Sequence, residues 1–266
     1  MLMLVFFIFF CCFLIDNFLM NKLYNMNLII LFMVLILCFS WMNLFMFYLF
    51  FEISLFPIFL IIIGWGYQPE RIKASLYMMF YTLFFSLPLL ILIYLIYYYN
   101  SSLFLIIIIK NLLINNYFWS FMIYLFMFFA FMVKLPIFLF HNWLPKAHVE
   151  APLVGSMILA AIMLKLGGYG MFRFLMFMKW EYIKFNDFFM SLSLIGILFL
   201  SVMCIRHYDL KVIIAYSSVI HMGIMLVGLF SLKIWGFYGS LLLMISHGIC
   251  SSSLFYLVNI FYNRSM

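Results

Sequence analysis

Met46-Phe47-Tyr48-Leu49-Phe50-Phe51-Glu52-Ile53-Ser54-Leu55-Phe56-Pro57-Ile58-Phe59-Leu60-Ile61-Ile62-Ile63-Gly64 is an apolar run carrying one charge, Glu52, and one proline, Pro57. About 20 such residues wound as a helix match the hydrocarbon thickness of a bilayer. Eight further runs of similar character predict spans at 1–19, 27–45, 74–99, 117–140, 150–175, 188–205, 211–231 and 236–260. With 46–64 they make nine. The predicted fold class is all-α: a polytopic transmembrane helical bundle of about nine helices, with residues 1–266 forming a single membrane domain.

The composition excludes the alternatives. Of the 266 residues, 70% are apolar and 8% charged, where a soluble domain has roughly 45–50% and 25%. A water-soluble fold of this size would leave large apolar patches exposed. A soluble enzyme and a disordered chain are therefore excluded. So is a nucleic-acid binder, because the 14 Lys and Arg behind the net charge of +7 are spread along the chain without forming a basic patch. The expected surroundings are a lipid bilayer and other membrane proteins. The first span has no basic segment before it and no small-residue cleavage site after it, so it does not read as a signal peptide. The abundance of Phe, Ile, Leu, Met, Tyr and Asn, with 37 Phe and 23 Met, fits AT-rich codons and a code in which ATA reads as Met. That is the expectation for a mitochondrial gene of invertebrate type.

Polar punctuation separates the spans. Ser40 to Asn43 divides the second from the third. Gly64-Trp65-Gly66-Tyr67-Gln68-Pro69-Glu70-Arg71 divides the third from the fourth. The stretch 103–109 is too short to cross. Lys179-Trp180-Glu181-Tyr182-Ile183-Lys184 reads as an interfacial loop with aromatic anchors. If all nine spans cross, one side holds Lys22, Arg71, Lys73, Lys146, Arg206, Lys211 and Arg264, and the other Lys110, Arg173, Lys179, Lys184 and Lys233. Seven cations against five places the first set in the matrix or cytoplasm. Pro57, Pro88 and Pro136 fall inside spans and predict kinks or breaks; the one at Pro136 follows a charge by two residues.

After the loops are accounted for, Glu52, Lys134 and Lys165 remain within spans, joined by His221 and His247. A charge at the bilayer centre costs about 2.5–3.5 kcal/mol on insertion scales. At about 1.5 Å rise per residue, all five lie within about 5–8 Å of their span centres. They form a lateral polar layer. A lysine buried there loses hydration, and its charged form responds to a neighbouring carboxylate or cation. Histidine passes a proton between its two nitrogens. Such chains suit proton transfer. The plainer reading is structural hydrogen bonding, with Ser217, Ser218, Ser246 or Ser251 as partners for the histidines. Gly167, Gly168 and Gly170 read as close helix packing, since the G-x-G-x-x-G spacing is absent. His141, His148 and Glu150 flank a proline-rich loop outside zinc spacing and do not read as a metal site. The five cysteines form no C-x-x-C pair and read as small core residues.

The stretches Phe51-Glu52-Ile53-Ser54-Leu55-Phe56-Pro57 and Gly64 to Arg71 resemble the antiporter-like membrane subunits of respiratory complex I, specifically subunit 4 of mitochondrial NADH dehydrogenase. So do Val133-Lys134-Leu135-Pro136, Trp143 to Pro152, Gly155 to Ala160, Lys165 to Gly170, Ala215 to Gly223 and Ser246-His247-Gly248. The resemblance covers essentially the whole chain. It implies an antiporter-like inverted-repeat fold truncated at both ends. It starts about two helices late and stops before the second broken helix, as in a fragment of a longer reading frame. Residues 27–175 would be the first five-helix repeat, broken near 134–136, and 188–260 the start of the second. It further implies that Glu52 and Lys134 are the Glu–Lys pair, Lys165 the central relay lysine, and His221 and His247 the later relay. The implied function is proton translocation in NADH:ubiquinone oxidoreductase, multi-pass in the mitochondrial inner membrane, beside neighbouring antiporter-like subunits. No cofactor or metal is expected in this chain: NADH, FMN, iron–sulfur clusters and ubiquinone would belong to partner subunits. A stand-alone cation/proton antiporter and an inactive structural fragment are the alternatives.

Overall fold

A computed structural model describes residues 1–15, 22–111, 117–176 and 185–265. The described residues form α-helices, with one isolated β-bridge between Asn43 and Phe104. The order is α1 (Leu2–Ile15), α2 (Lys22–Ser40), α3 (Leu44–Ile53), α4 (Leu55–Trp65), α5 (Arg71–Asn100), α6 (Leu105–Asn111), α7 (Tyr117–Lys134), α8 (Trp143–Glu150), α9 (Leu153–Ile158), a π turn (Leu159–Met163), α10 (Leu164–Leu175), α11 (Asn186–Cys204), α12 (Leu210–Phe230) and α13 (Ile234–Ser265). Among the described residues seven stretches are long and apolar enough to cross a membrane, and two shorter apolar helices accompany them. Each of these nine overlaps one of the nine predicted windows. The interfacial loop predicted at 179–184 lies outside the described residues.

Two boundaries differ from expectation. The second span ends at Ser40, because Asn43 caps the next helix: its side-chain oxygen accepts from the Phe45 N–H at 3.0 Å. The elbow is pinned by Leu44 N–H to Leu103 O at 3.1 Å and Leu105 N–H to Met42 O at 3.3 Å. The expected proline-rich loop after His141 contains helix α8. Pro145 sits in its first turn, where a missing N–H costs nothing.

The prolines act unequally. Pro57 sits in the first turn of α4, and the third span is offset at Ser54 between α3 and α4. Pro136 ends α7: the residue before a proline is pushed out of the helical region, and the chain turns until α8 begins. The helix end is sealed by Trp143, whose indole N–H donates to Val133 O at 3.0 Å. Helix α5 runs on through Pro88.

The stretch Leu153–Leu175 is the hub. Its core window is 94% buried, against 22–50% for the other six long spans, and it is the least apolar of the seven. That inversion is expected in lipid, where polar residues turn toward protein. Glycines let neighbours approach it. A Cβ on Gly170 would lie 2.2 Å from the Phe131 ring, one on Gly167 2.9 Å from Leu135, and one on Gly168 2.5 Å from Met244. The glycine-rich segment is thus a packing surface against α7, at its break, and against α13.

Candidate functional site

The break in α7 leaves Lys134 as its last helical residue, buried with 3% exposure. Its amine donates to Phe51 O at 2.8 Å and lies 2.9 Å from the centroid of the Phe51 ring. Glu52 is the next residue along α3 and within electrostatic reach of Lys134. Both Glu52 carboxylate oxygens are buried without a hydrogen-bond partner. The Ser86 hydroxyl beside it donates to Leu83 O at 2.9 Å. The expected Glu52–Lys134 neighbourhood is therefore present, but Phe51 is what holds the amine.

Lys165 is fully buried in the first turn of α10, directly after the π turn. A π turn carries an extra residue and re-aims side chains, and it recurs at functional sites. The Lys165 amine donates to the Ala160 carbonyl of that turn. It also lies 2.8 Å from Nδ1 of His247 on α13. His221 on α12 follows, its ring centroid 5.6 Å from that of His247. The serine explanation for these histidines fails locally. Ser217 and Ser218 donate to the carbonyls of Ile214 and Ala215, and Ser246 to Leu243 O, within their own helices.

The structure adds His148, which in the sequence reads only as a residue beside a proline-rich loop and not as a metal ligand. It is fully buried and stacks on Phe255 at 4.8 Å and 9°. It lies within electrostatic reach of Lys165 and His247. Neither ring nitrogen has a partner, and the Ser251 hydroxyl on α13 is likewise unpaired. Buried polar atoms left this way are places for ordered water. The signal was an α13 face with Met244, His247, Ser251 and Phe255 at helical spacing, all buried. The partner on α8 could not be read from it.

A third buried cation, besides Lys134 and Lys165, reads as a loop charge in the sequence. Arg173 is 6% exposed; its guanidinium donates to Trp41 O, to Phe39 O at 3.2 Å and to the Tyr169 hydroxyl. It closes the C-terminal end of α2, where cationic donors satisfy orphan carbonyls. Among the described residues no group of three or more His, Cys, Asp or Glu could hold a metal.

At one membrane face, Glu70, Lys73, Tyr77, Lys146 and Glu150 line a cavity of about 310 Å³. Lys211 joins them by donating to Val149 O at 3.5 Å. Lys73, Lys146 and Lys211, assigned to one side from the loop pattern, are thus brought to one place.

The family described as NADH:quinone oxidoreductase/Mrp antiporter, TM matches residues 41–266. The chain belongs to this family. It is 52% identical over 245 residues to NADH-ubiquinone oxidoreductase chain 4 of Ceratitis capitata, covering 92% of this chain and 54% of that protein. It is 54% identical over 224 residues to chain 4 of Locusta migratoria, covering 84% and 49%. The chain thus spans about half the length of these relatives. In fold it is similar to a chain of respiratory complex I from Thermus thermophilus with bound NADH, with a TM-score of 0.79, 23% identity, and 92% and 57% of the two chains covered. It is also similar to a chain of the Mrp complex from Dietzia sp. DQ12-45-1b, with a TM-score of 0.76, 19% identity, and 88% and 26% covered. These two chains share the overall helix arrangement of this one.

Proposed function

We propose that this chain is proton-conducting membrane structure of an NADH:ubiquinone oxidoreductase, working in the mitochondrial inner membrane beside other membrane subunits of the complex. The observation that carries the proposal is the 2.8 Å contact between the Lys165 amine and His247 Nδ1 within the most buried part of the bundle. A lysine and a histidine in hydrogen-bond contact exchange a proton without moving their backbones. His221 offers the next stop.

Glu52, Lys134, Lys165, His221 and His247 are the proposed relay. Glu52 tunes Lys134 through its charge, Lys134 receives or donates, and Lys165 passes the proton to the histidines. Phe51 holds the Lys134 amine while it is not on Glu52. His148 joins through its unpaired nitrogens. The repeat organisation is part of the same reading: 27–175 as a first five-helix unit broken at 134–136, and 188–260 as the start of a second. The break of α7 immediately after Lys134 supports it. Electron transfer, with NADH, FMN, iron–sulfur clusters and ubiquinone, would lie in partner subunits.

The curated relatives at about half identity carry the name of an oxidoreductase chain, which favours this reading over a stand-alone antiporter. Lys134→Ala in an assembled complex is expected to lower the protons moved per NADH oxidised. Full stoichiometry in that variant would sink the relay.

A further inference from the structure

We propose that the cavity between the first turns of α5, helix α8 and the start of α12 binds the headgroup of an aminophospholipid such as phosphatidylethanolamine. Its primary ammonium would lie at Glu70 and Glu150, and its phosphate at Lys73 and Lys146. The site is independent of the proton relay.

Position comes first. Helix α5 has 30 residues, about 45 Å at 1.5 Å per residue, against about 30 Å of hydrocarbon. Shared between its two ends, the excess would bring its first turns, with Lys73 and Tyr77, to headgroup depth. The cavity of about 310 Å³ is at the small end of ligand sites, which run from about 300 to 1,000 Å³. Further along the helix, Leu76, Phe80 and Phe84 follow one another at four-residue spacing, 37%, 67% and 71% exposed. Residues so spaced make a single stripe along a helix. It leads from the cavity into the bilayer, where an acyl chain would lie.

Charge selects the headgroup. Glu150 is 5% exposed, and its Oε2 has no hydrogen-bond partner. Burial, and then the Glu70 carboxylate, push the Glu150 carboxyl up from its ordinary range, while Lys211 and the Gln68 N–H pull it partly back. Two carboxylates that repel, one with a bare buried oxygen, call for a hydrogen-bonding cation. A primary ammonium has three N–H donors; a choline has none. The Lys146 amine lies 4.5 Å over the Tyr77 ring, at the rim of the same cavity. Lys73 and Lys146 supply two cations for a phosphate. A headgroup with phosphate alone would satisfy the lysines and leave the carboxylates repelling.

The test uses the assembled complex, stripped with detergent and returned to nanodiscs of phosphatidylethanolamine, phosphatidylcholine or phosphatidylglycerol. Lipid that survives a second detergent wash is counted by native mass spectrometry. Phosphatidylethanolamine is expected to be retained at least tenfold over both others, and Glu150→Gln to abolish that preference. Where Glu150→Gln does not assemble, Lys146→Gln, on an exposed side chain, is expected to lower retention severalfold. Equal retention of the three lipids, a phosphatidylethanolamine preference unchanged in Glu150→Gln, or retention unchanged in Lys146→Gln, would overturn the proposal. Preferential retention of phosphatidylglycerol would overturn it as well, showing a plain phosphate site.

Discussion

The amine of Lys134 is held by Phe51, through its carbonyl at 2.8 Å and its ring face at 2.9 Å, while the neighbouring carboxylate of Glu52 goes unpaired. Lys134 thus has two places to be, one residue apart on α3. A desolvated cation–π contact is worth about 2 kcal/mol, enough to bias the amine between them.

Phe51→Leu keeps the carbonyl and removes the ring. The amine should then shift toward Glu52, and NADH-driven proton translocation should fall severalfold while assembly persists. Phe51→Tyr, which restores a ring face, should recover it. Proton yields measured in vesicles decide this. Unchanged yields in Phe51→Leu, with Lys134→Ala impaired, would remove the ring's role and leave the relay standing.

Lys165→Met replaces a fully buried amine by an apolar side chain closer to it in length. It leaves His247 Nδ1 and the Ala160 carbonyl without their donor, a penalty of about 1–3 kcal/mol for each buried group. Proton pumping should be lost and the complex should still form. Normal pumping at normal assembly levels would favour the purely structural reading of this chain.

Gly170→Ala tests the packing of α10 on α7. The new Cβ would meet the Phe131 ring at 2.2 Å and 2.6 Å, and overpacking of this kind typically costs about 1–3 kcal/mol. Thermal inactivation of the complex should occur at lower temperature. Phe131→Leu in the same chain should restore part of it by giving room to the added methyl.

Arg173→Met should destabilise more than Arg173→Lys. The methionine leaves the Trp41 carbonyl and the Tyr169 hydroxyl oxygen without a donor, and the Phe39 carbonyl with the Tyr169 hydroxyl alone. The lysine keeps the charge but not the planar fork. Protease sensitivity at the 40–43 elbow reads the difference, with cleavage fastest in the methionine variant. Equal cleavage in both variants and the parent would show that Arg173 does not hold the elbow.

Much of the site was legible because charges in lipid are rare and conspicuous. Glu52, Lys134, Lys165, His221 and His247 stood out against apolar runs, and Pro136 marked where α7 breaks. His148 was not legible. It sits outside an apolar run, where a histidine is unremarkable, and only folding buries it against Phe255. Arg173 was hidden for the opposite reason. Near the end of its span it looks like an interfacial cation, and only the return of α2 alongside α10 buries it.

The sequence by itself determined the membrane class and the nine windows, because length, hydropathy and proline placement are local properties of a helix in lipid. Partnership was decided only by the tertiary structure. Lys134 meets Phe51 across 83 positions and Lys165 meets His247 across 82. Such pairs depend on how glycine-lined helices pack laterally. Period and composition fix which face of a helix is polar, but not which helix it will face.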